Sequence, residues 1–187
     1  MIVGLGLIGG SFALALRDHG LAEEILGVEN SEEHAAEALR LGLADRIVRF
    51  EEGAAEADLI VLATPVDAIP LLAVKALNRV GDRQVVIDMG SIKSELCEVI
   101  SMHARRGRFV AVHPMWGTEY SGPKAAQRGA FTGRNVVFCD TVRSDSDALH
   151  AVERIFRTLN CPAVYMDPEE HDLHAAYVSH ISHVTSF

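Results

Sequence analysis

The sequence is short of positive charge, of cysteine and of long apolar runs, and each shortage removes a class of function. Lys and Arg number 17 against 26 Asp and Glu, a formal charge of −9. That balance argues against a polyanion partner, since nucleic-acid binding rests on a basic surface that neutralises phosphates. Arg105, Arg106 and Arg108 form the only basic cluster, and they read as the solvated end of a helix, where cations are favoured beside the terminal carbonyls. Cys97, Cys139 and Cys161 are odd in number, far apart and without CxxC spacing. This fits reduced thiols in a cytoplasmic protein, with no disulfide frame and no thiol catalysis. No window approaches ~18 uninterrupted apolar residues, and Met1-Ile2-Val3-Gly4 carries no basic leader, so neither export nor membrane insertion is expected.

What is present is a chain of 187 residues, 49% hydrophobic and 23% charged, enough for one globular domain with its own core and part of a second. Short apolar runs alternate with segments of helical period, the pattern of an α/β fold with a Rossmann-type, doubly wound and mostly parallel sheet. Strands are expected at Met1 to Val3, Ile25 to Val28, Arg46 to Phe50, Leu59 to Ala63, Val85 to Asp88, Phe109 to Val112, Asn135 to Cys139 and Ala163 to Met166. Between them, Ser31 can cap a helix that stops at Gly42, Ser91 can cap one running to about Arg105, and Ser144 or Asp145 can start one ending near Asn160. The last segment, from Pro168, reads as a helix with Glu169, Glu170 and Asp172 near its positive end. It reaches Phe187 among apolar and small residues without a C-cap. The expectation is a dinucleotide-binding domain over 1–167, followed at 168–187 by the first helix of a truncated, all-helical domain.

Gly4, Gly6 and Gly9 follow the first strand and open an apolar helix. Gly4 permits the tight turn, Gly6 lets the backbone approach a pyrophosphate, Gly9 lets helix pack on strand, and the amides of Leu7 and Ile8 can face the phosphates. A GxGxxG alone is weak. Here the second strand ends in Glu29, twenty residues after Gly9, where a carboxylate can accept hydrogen bonds from the adenosine ribose. Glu29 would also repel a 2′-phosphate, and Asn30 and Ser31 supply no arginine, so NAD is favoured over NADP. Thr64-Pro65-Val66 ends the fourth strand. It either lines the nicotinamide side of the crevice or is a plain strand-to-helix turn with proline at the helix start.

Gly90-Ser91-Ile92-Lys93 and His113 follow two further strands, so both belong to the carboxyl edge of the sheet, where open α/β folds bind ligands. A histidine with an ordinary pKa of ~6.5 suits proton abstraction from an alcohol as hydride leaves, and Ser91 can share that hydrogen bond and orient the ring. Taken singly, Ser91 is a helix cap and His113 a buried residue bonded to backbone.

Taken together with the glycine loop, three segments point further: Asp88-Met89-Gly90-Ser91-Ile92-Lys93, His113-Pro114-Met115-Trp116-Gly117-Thr118-Glu119-Tyr120-Ser121-Gly122 and Val178-Ser179-His180-Ile181-Ser182-His183. In order and over essentially the whole chain they resemble the prephenate dehydrogenases, a family that includes arogenate dehydrogenases. The resemblance implies NAD-dependent oxidative decarboxylation of prephenate to 4-hydroxyphenylpyruvate in tyrosine biosynthesis, in a cytoplasmic homodimer. His113 would take the ring hydroxyl proton, and Ser91 would assist at that hydroxyl and contact the cofactor near the nicotinamide. Thr118, Glu119, His180 and His183 would border the substrate. No metal is implied: at ~100° per residue His180 and His183 share a helix face while His171 and His174 lie on others, so the four cannot meet one ion. Trp116 departs from the small residue many relatives carry, and core packing is the favoured reading of it. The arginine that family members use for the substrate carboxylates would lie beyond residue 187. The competing readings are a dehydrogenase for arogenate or another hydroxy acid, and an NAD-sensing module that would need neither His113 nor Ser91.

Overall fold

A computed structural model describes residues 1–184, and side chains to residue 177. The strands are β1 (Ile2–Val3), β2 (Leu26–Val28), β3 (Arg46–Ile47), β4 (Leu59–Leu62), β5 (Val85–Asp88), β6 (Phe109–Pro114), β7 (Val136–Cys139) and β8 (Ala163–Met166). They form one sheet in the order β3-β2-β1-β4-β5-β6-β7-β8. β1 to β6 are mutually parallel, β7 is antiparallel to β6, and β8 is parallel to β7. The order reverses between β1 and β4, which opens the crevice that dinucleotides use in such sheets.

The helices are α1 (Leu7–Asp18), α2 (Glu32–Arg40), α3 (Phe50–Glu56), α4 (Ile69–Leu77), α5 (Ser94–Ile100), α6 (Ser146–Thr158) and α7 (Pro168–Val184). Side chains alternate across a strand, and the alternation divides the core in two. Ile2, Val61, Ile87, Val110 and Val112 meet Phe12 and Leu16 of α1, Ala38 of α2, and Val152 and Phe156 of α6. Ile60, Leu62, Val86, Phe109 and Ala111 meet Phe50 of α3, Ile69 and Leu77 of α4, and Leu96 and Ile100 of α5. The α/β, doubly wound, mostly parallel architecture expected from the sequence is therefore present. Beyond β8 the structure holds one helix, α7.

Several local expectations are corrected. β3 is two residues long, because Phe50 opens α3, a helix the apolar pattern did not reveal. There the Glu52 carboxylate reaches back to the N-cap, accepting from Arg49 N at 3.3 Å and from the Arg49 guanidinium at 2.7 Å. α5 ends at Ile100, well short of Arg105, and its N-cap is Lys93, with no side-chain bond from Ser91. Its first amides are capped from a distance instead: Asp172 of α7 accepts from the N–H groups of Lys93 and Ser94, each at 2.8 Å. Of the basic cluster, Arg105 is exposed but the other two are not solvated. Arg106 and Arg108 are 5% and 4% exposed, Arg106 pairing with Asp140 at 2.8 Å and Arg108 with Asp147 at 2.8 Å. Buried guanidinium groups need such partners. Ser31 caps α2 as expected, accepting from His34 N.

Candidate active site

The first turn after β1 shows why its glycines are there. Gly4 has φ +88° and a Cβ on it would lie 2.7 Å from Ala63 O, while a Cβ on Gly9 would lie 2.0 Å from Gly4 O. A Cβ on Gly6 would meet only the Gly122 amide nitrogen, at 3.9 Å. Gly4 and Gly9 are thus required by the protein's own packing, whereas the space before Gly6 is open, as an approaching phosphate needs. Leu7 and Ile8 stand in the first turn of α1 beside it. Glu29 lies at the same edge, half-buried, its carboxylate accepting from Leu5 N at 3.3 Å, Asn30 N at 3.0 Å and Ser31 N at 3.2 Å. It is thereby held against the glycine turn. Thr64 and Pro65 follow β4, beside that turn through Ala63, and lead into a short 3-10 turn at Val66–Ala68.

His113 is the fifth residue of β6, and period two puts it on the face of Phe109 and Ala111, toward α5 and α7. Its Nδ1 lies 2.8 Å from His171 Nε2, and His171 Nδ1 lies 2.8 Å from Asp172 Oδ1. The two imidazoles meet edge to face, with centroids 5.1 Å apart. A carboxylate can only accept, so a neutral His171 carries its proton on Nδ1 and offers the lone pair of Nε2. His113 then donates Nδ1–H to that lone pair, which leaves its own Nε2 free to accept a proton. Burial, the nearby Lys93 charge and His171 lower the His113 pKa to about 3, against the opposing pull of Asp172. The ring is thus uncharged at neutral pH and less basic than its ordinary value suggests. Burial alone would raise the Asp172 carboxyl, but the Ser94 and Lys93 amides and His171 outweigh it and hold the pKa below its usual range.

His171 and Asp172 are the residues that sequence reasoning missed. The helical wheel set His171 apart from His180 and His183, and nothing in the sequence says which face of α7 meets β6. Ser91 is exposed, and among the described residues it makes no side-chain hydrogen bond to His113; the ring is oriented by His171. Thr118 and Glu119 are exposed on the loop after β6, Thr118 Oγ1 accepting from Tyr120 N at 3.3 Å. Trp116 instead packs edge to face on Phe131, centroids 5.7 Å apart, against the core. The side chains of His180 and His183 lie outside the described residues. The three cysteines are buried, and burial raises their pKa to about 12, 12 and 11 for Cys97, Cys139 and Cys161, so they are inert.

A glycine turn, a carboxylate held against it and an oriented histidine at one edge of a doubly wound sheet define the nucleotide-binding domain of an oxidoreductase. Comparison with known proteins narrows the class. Residues 12–165 match the sequence model described as prephenate dehydrogenase, nucleotide-binding domain, and the chain belongs to the prephenate dehydrogenase family. It is 32% identical to the prephenate dehydrogenase of Bacillus subtilis (strain 168), over 100% of this chain and 51% of that protein. The crystal structure of prephenate dehydrogenase from A. aeolicus in complex with hydroxyphenyl propionate and NAD+ superposes with a TM-score of 0.83. Identity is 31%, over 91% of this chain and 60% of that one. Synechocystis arogenate dehydrogenase superposes with a TM-score of 0.84 at 27% identity, over 96% of this chain and 63% of that one. The chain spans about half the length of the curated prephenate dehydrogenases it matches.

Proposed function

We propose that this chain is the dinucleotide-binding part, over residues 1–167, of an NAD-dependent prephenate dehydrogenase of tyrosine biosynthesis, with 168–187 beginning a helical domain. The observation that carries the reading is the Asp172–His171–His113 chain at the edge of the sheet that also bears the glycine turn. A base whose free nitrogen is fixed by its partners suits proton abstraction, whereas a sensing module would have no use for it.

The residues fit NAD. Gly6 leaves room for the pyrophosphate beside the amides of Leu7 and Ile8, and the Glu29 carboxylate suits the ribose hydroxyls and repels a 2′-phosphate. When bound, NAD supplies the hydride acceptor. His113 Nε2 takes the hydroxyl proton as hydride leaves the ring carbon. Loss of the ring carboxylate as carbon dioxide leaves its electron pair in the aromatic product, and the proton can return to the phenolate oxygen. Ser91 would hydrogen-bond the hydroxyl, with Thr118, Glu119, His180 and His183 around the substrate. A substrate-binding arginine and the dimer interface would belong to sequence beyond residue 187, in a cytoplasmic homodimer.

The test is steady-state kinetics of the full-length enzyme with prephenate and arogenate, each with NAD and NADP. His113→Asn is expected to keep NAD affinity and lose turnover by about a hundredfold or more, the usual contribution of a general base. Unchanged turnover would sink the assignment. Arogenate preference would make arogenate the substrate within the same family, since the two substrates differ only in a keto or amino side chain.

A further inference from the structure

Among the described residues, the most deeply buried charges form a pair to which the proposed reaction assigns no part. Asp88 and Lys93 are both 0% exposed and form an ion pair. Asp88 is the last residue of β5 and Lys93 caps α5, so they bracket the turn that carries Ser91. Asp88 Oδ2 also accepts from Gly90 N at 2.9 Å, and Oδ1 accepts from Val112 N at 3.2 Å. One carboxylate thus ties the Ser91 turn to the residue before His113. Parity explains the placement: Asp88 falls on the same face of β5 as Val86, under α5.

Stability does not account for the pair. Desolvating two charges costs several kcal/mol each by general estimate, and apolar replacements are often neutral or better. What the pair supplies is fixed geometry. We propose that Asp88 and Lys93 are positioning residues for the proton step: the buried pair fixes the spacing between the Ser91 turn and the β6 backbone that carries His113. The inference rests on His113 being the base.

Among the described residues, the charged or titratable groups that bear on His113 are Lys93 on α5 and His171 and Asp172 on α7, with Asp88 on β5 bonded to the N–H of the preceding residue; the residue opposite on β7 is Val137. Of these, Lys93 and His171 disfavour protonation of the ring and Asp172 favours it. Lys93→Met removes the ammonium, and burial then drives Asp88 to take up a proton, with its oxygens still accepting from Gly90 and Val112. Asp88→Asn instead removes one of the acceptors that join the two segments.

The experiment is kinetics of the full-length enzyme with NAD and prephenate, with dinucleotide Kd and Tm measured in parallel. Lys93→Met is expected to move the acid limb of the kcat/KM profile to higher pH, with NAD Kd within about threefold of wild type. Asp88→Asn is expected to lower kcat about tenfold or more, a displacement effect, with smaller changes in KM and Kd. A lower Tm with kcat and the pH limb unchanged would mean a structural role only and overturn the proposal. If Lys93→Met does not fold, Asp88→Asn/Lys93→Met takes its place, and an unchanged kcat there overturns it equally. In each case His113→Asn is run alongside. If that variant is inactive, failure is confined to this proposal; if it turns over normally, the base assignment falls and this proposal with it.

Discussion

His113 and His171 lie 58 positions apart in the sequence, and their ring nitrogens sit 2.8 Å apart in the structure. The contact joins the end of β6 to the first turns of α7, and Asp172 extends it to the N-terminus of α5. One helix therefore orients the proposed base and caps the helix that follows the Ser91 turn.

Replacing His171 removes the acceptor that holds the His113 Nδ1 proton. For His171→Ala in the full-length enzyme we expect kcat to fall about tenfold to a hundredfold, part of what a positioned base contributes. NAD affinity should be unchanged, because His171 bonds to β6, which β4 and β5 separate from the strand that leads into the glycine turn. Equal losses in kcat and NAD affinity would indicate a general collapse of the site.

The lowered His113 pKa also makes a stability prediction. The unfolded chain protonates this histidine near 6.5 and the folded chain only near 3, so between those values the unfolded state holds more protons. The stability from burying the neutral ring is complete above about 6.5 and is lost as pH falls toward 3. The lowered Asp172 value adds a loss of the same sign at lower pH still. Urea midpoints measured across pH 4 to 8 should fall on the acid side, and His113→Gln should flatten the slope between about 4.5 and 6.5. A wild-type midpoint independent of pH there would contradict the burial argument.

Gly9→Ala would place a methyl 2.0 Å from the Gly4 carbonyl oxygen and 3.0 Å from the Ala63 methyl. Backbone cannot yield as a flexible side chain can, so we expect destabilisation of about 3 kcal/mol and loss of dinucleotide binding. Denaturant unfolding and NAD titration check both. An alanine variant of normal stability would mean that α1 can move off β1.

Glu29→Ala should weaken NAD binding by about 1.5 to 3 kcal/mol, the range for hydrogen bonds to a charged group. It should also narrow the preference for NAD over NADP, by removing the carboxylate that repels a 2′-phosphate. Calorimetric titration with both cofactors reads the two effects. An unchanged ratio of affinities would remove Glu29 from cofactor choice.

Much of the frame was legible because it is written locally. Seven of the eight described strands lie where short apolar runs stand between turn residues, β3 keeping only Arg46–Ile47 of the expected 46–50, and Ser31 caps its helix as its residue type suggests. The misreadings share a cause, which is that distant partners decided them. Ser91 has the residue type of a cap, but Asp172 supplies the cap from α7; Arg106 and Arg108 have the spacing of a solvated helix end, but Asp140 and Asp147 pair with them. α3 escaped notice because its seven residues carry too few turns to show a period.

The sequence by itself determined the class of fold, the dinucleotide turn and the histidine at the end of a strand, because periodicity, glycine geometry and the spacing to Glu29 depend on neighbours along the chain. Tertiary structure alone decided what surrounds that histidine. A helix offers every side chain as a possible contact, and only packing selects the face of α7 that presents His171 to His113 and Asp172 to α5. In the same way, only the closing of α5 over β5 pairs Lys93 with Asp88 out of water. Burial and pairing set the charge and tautomer of a titratable group, and both are properties of the folded chain.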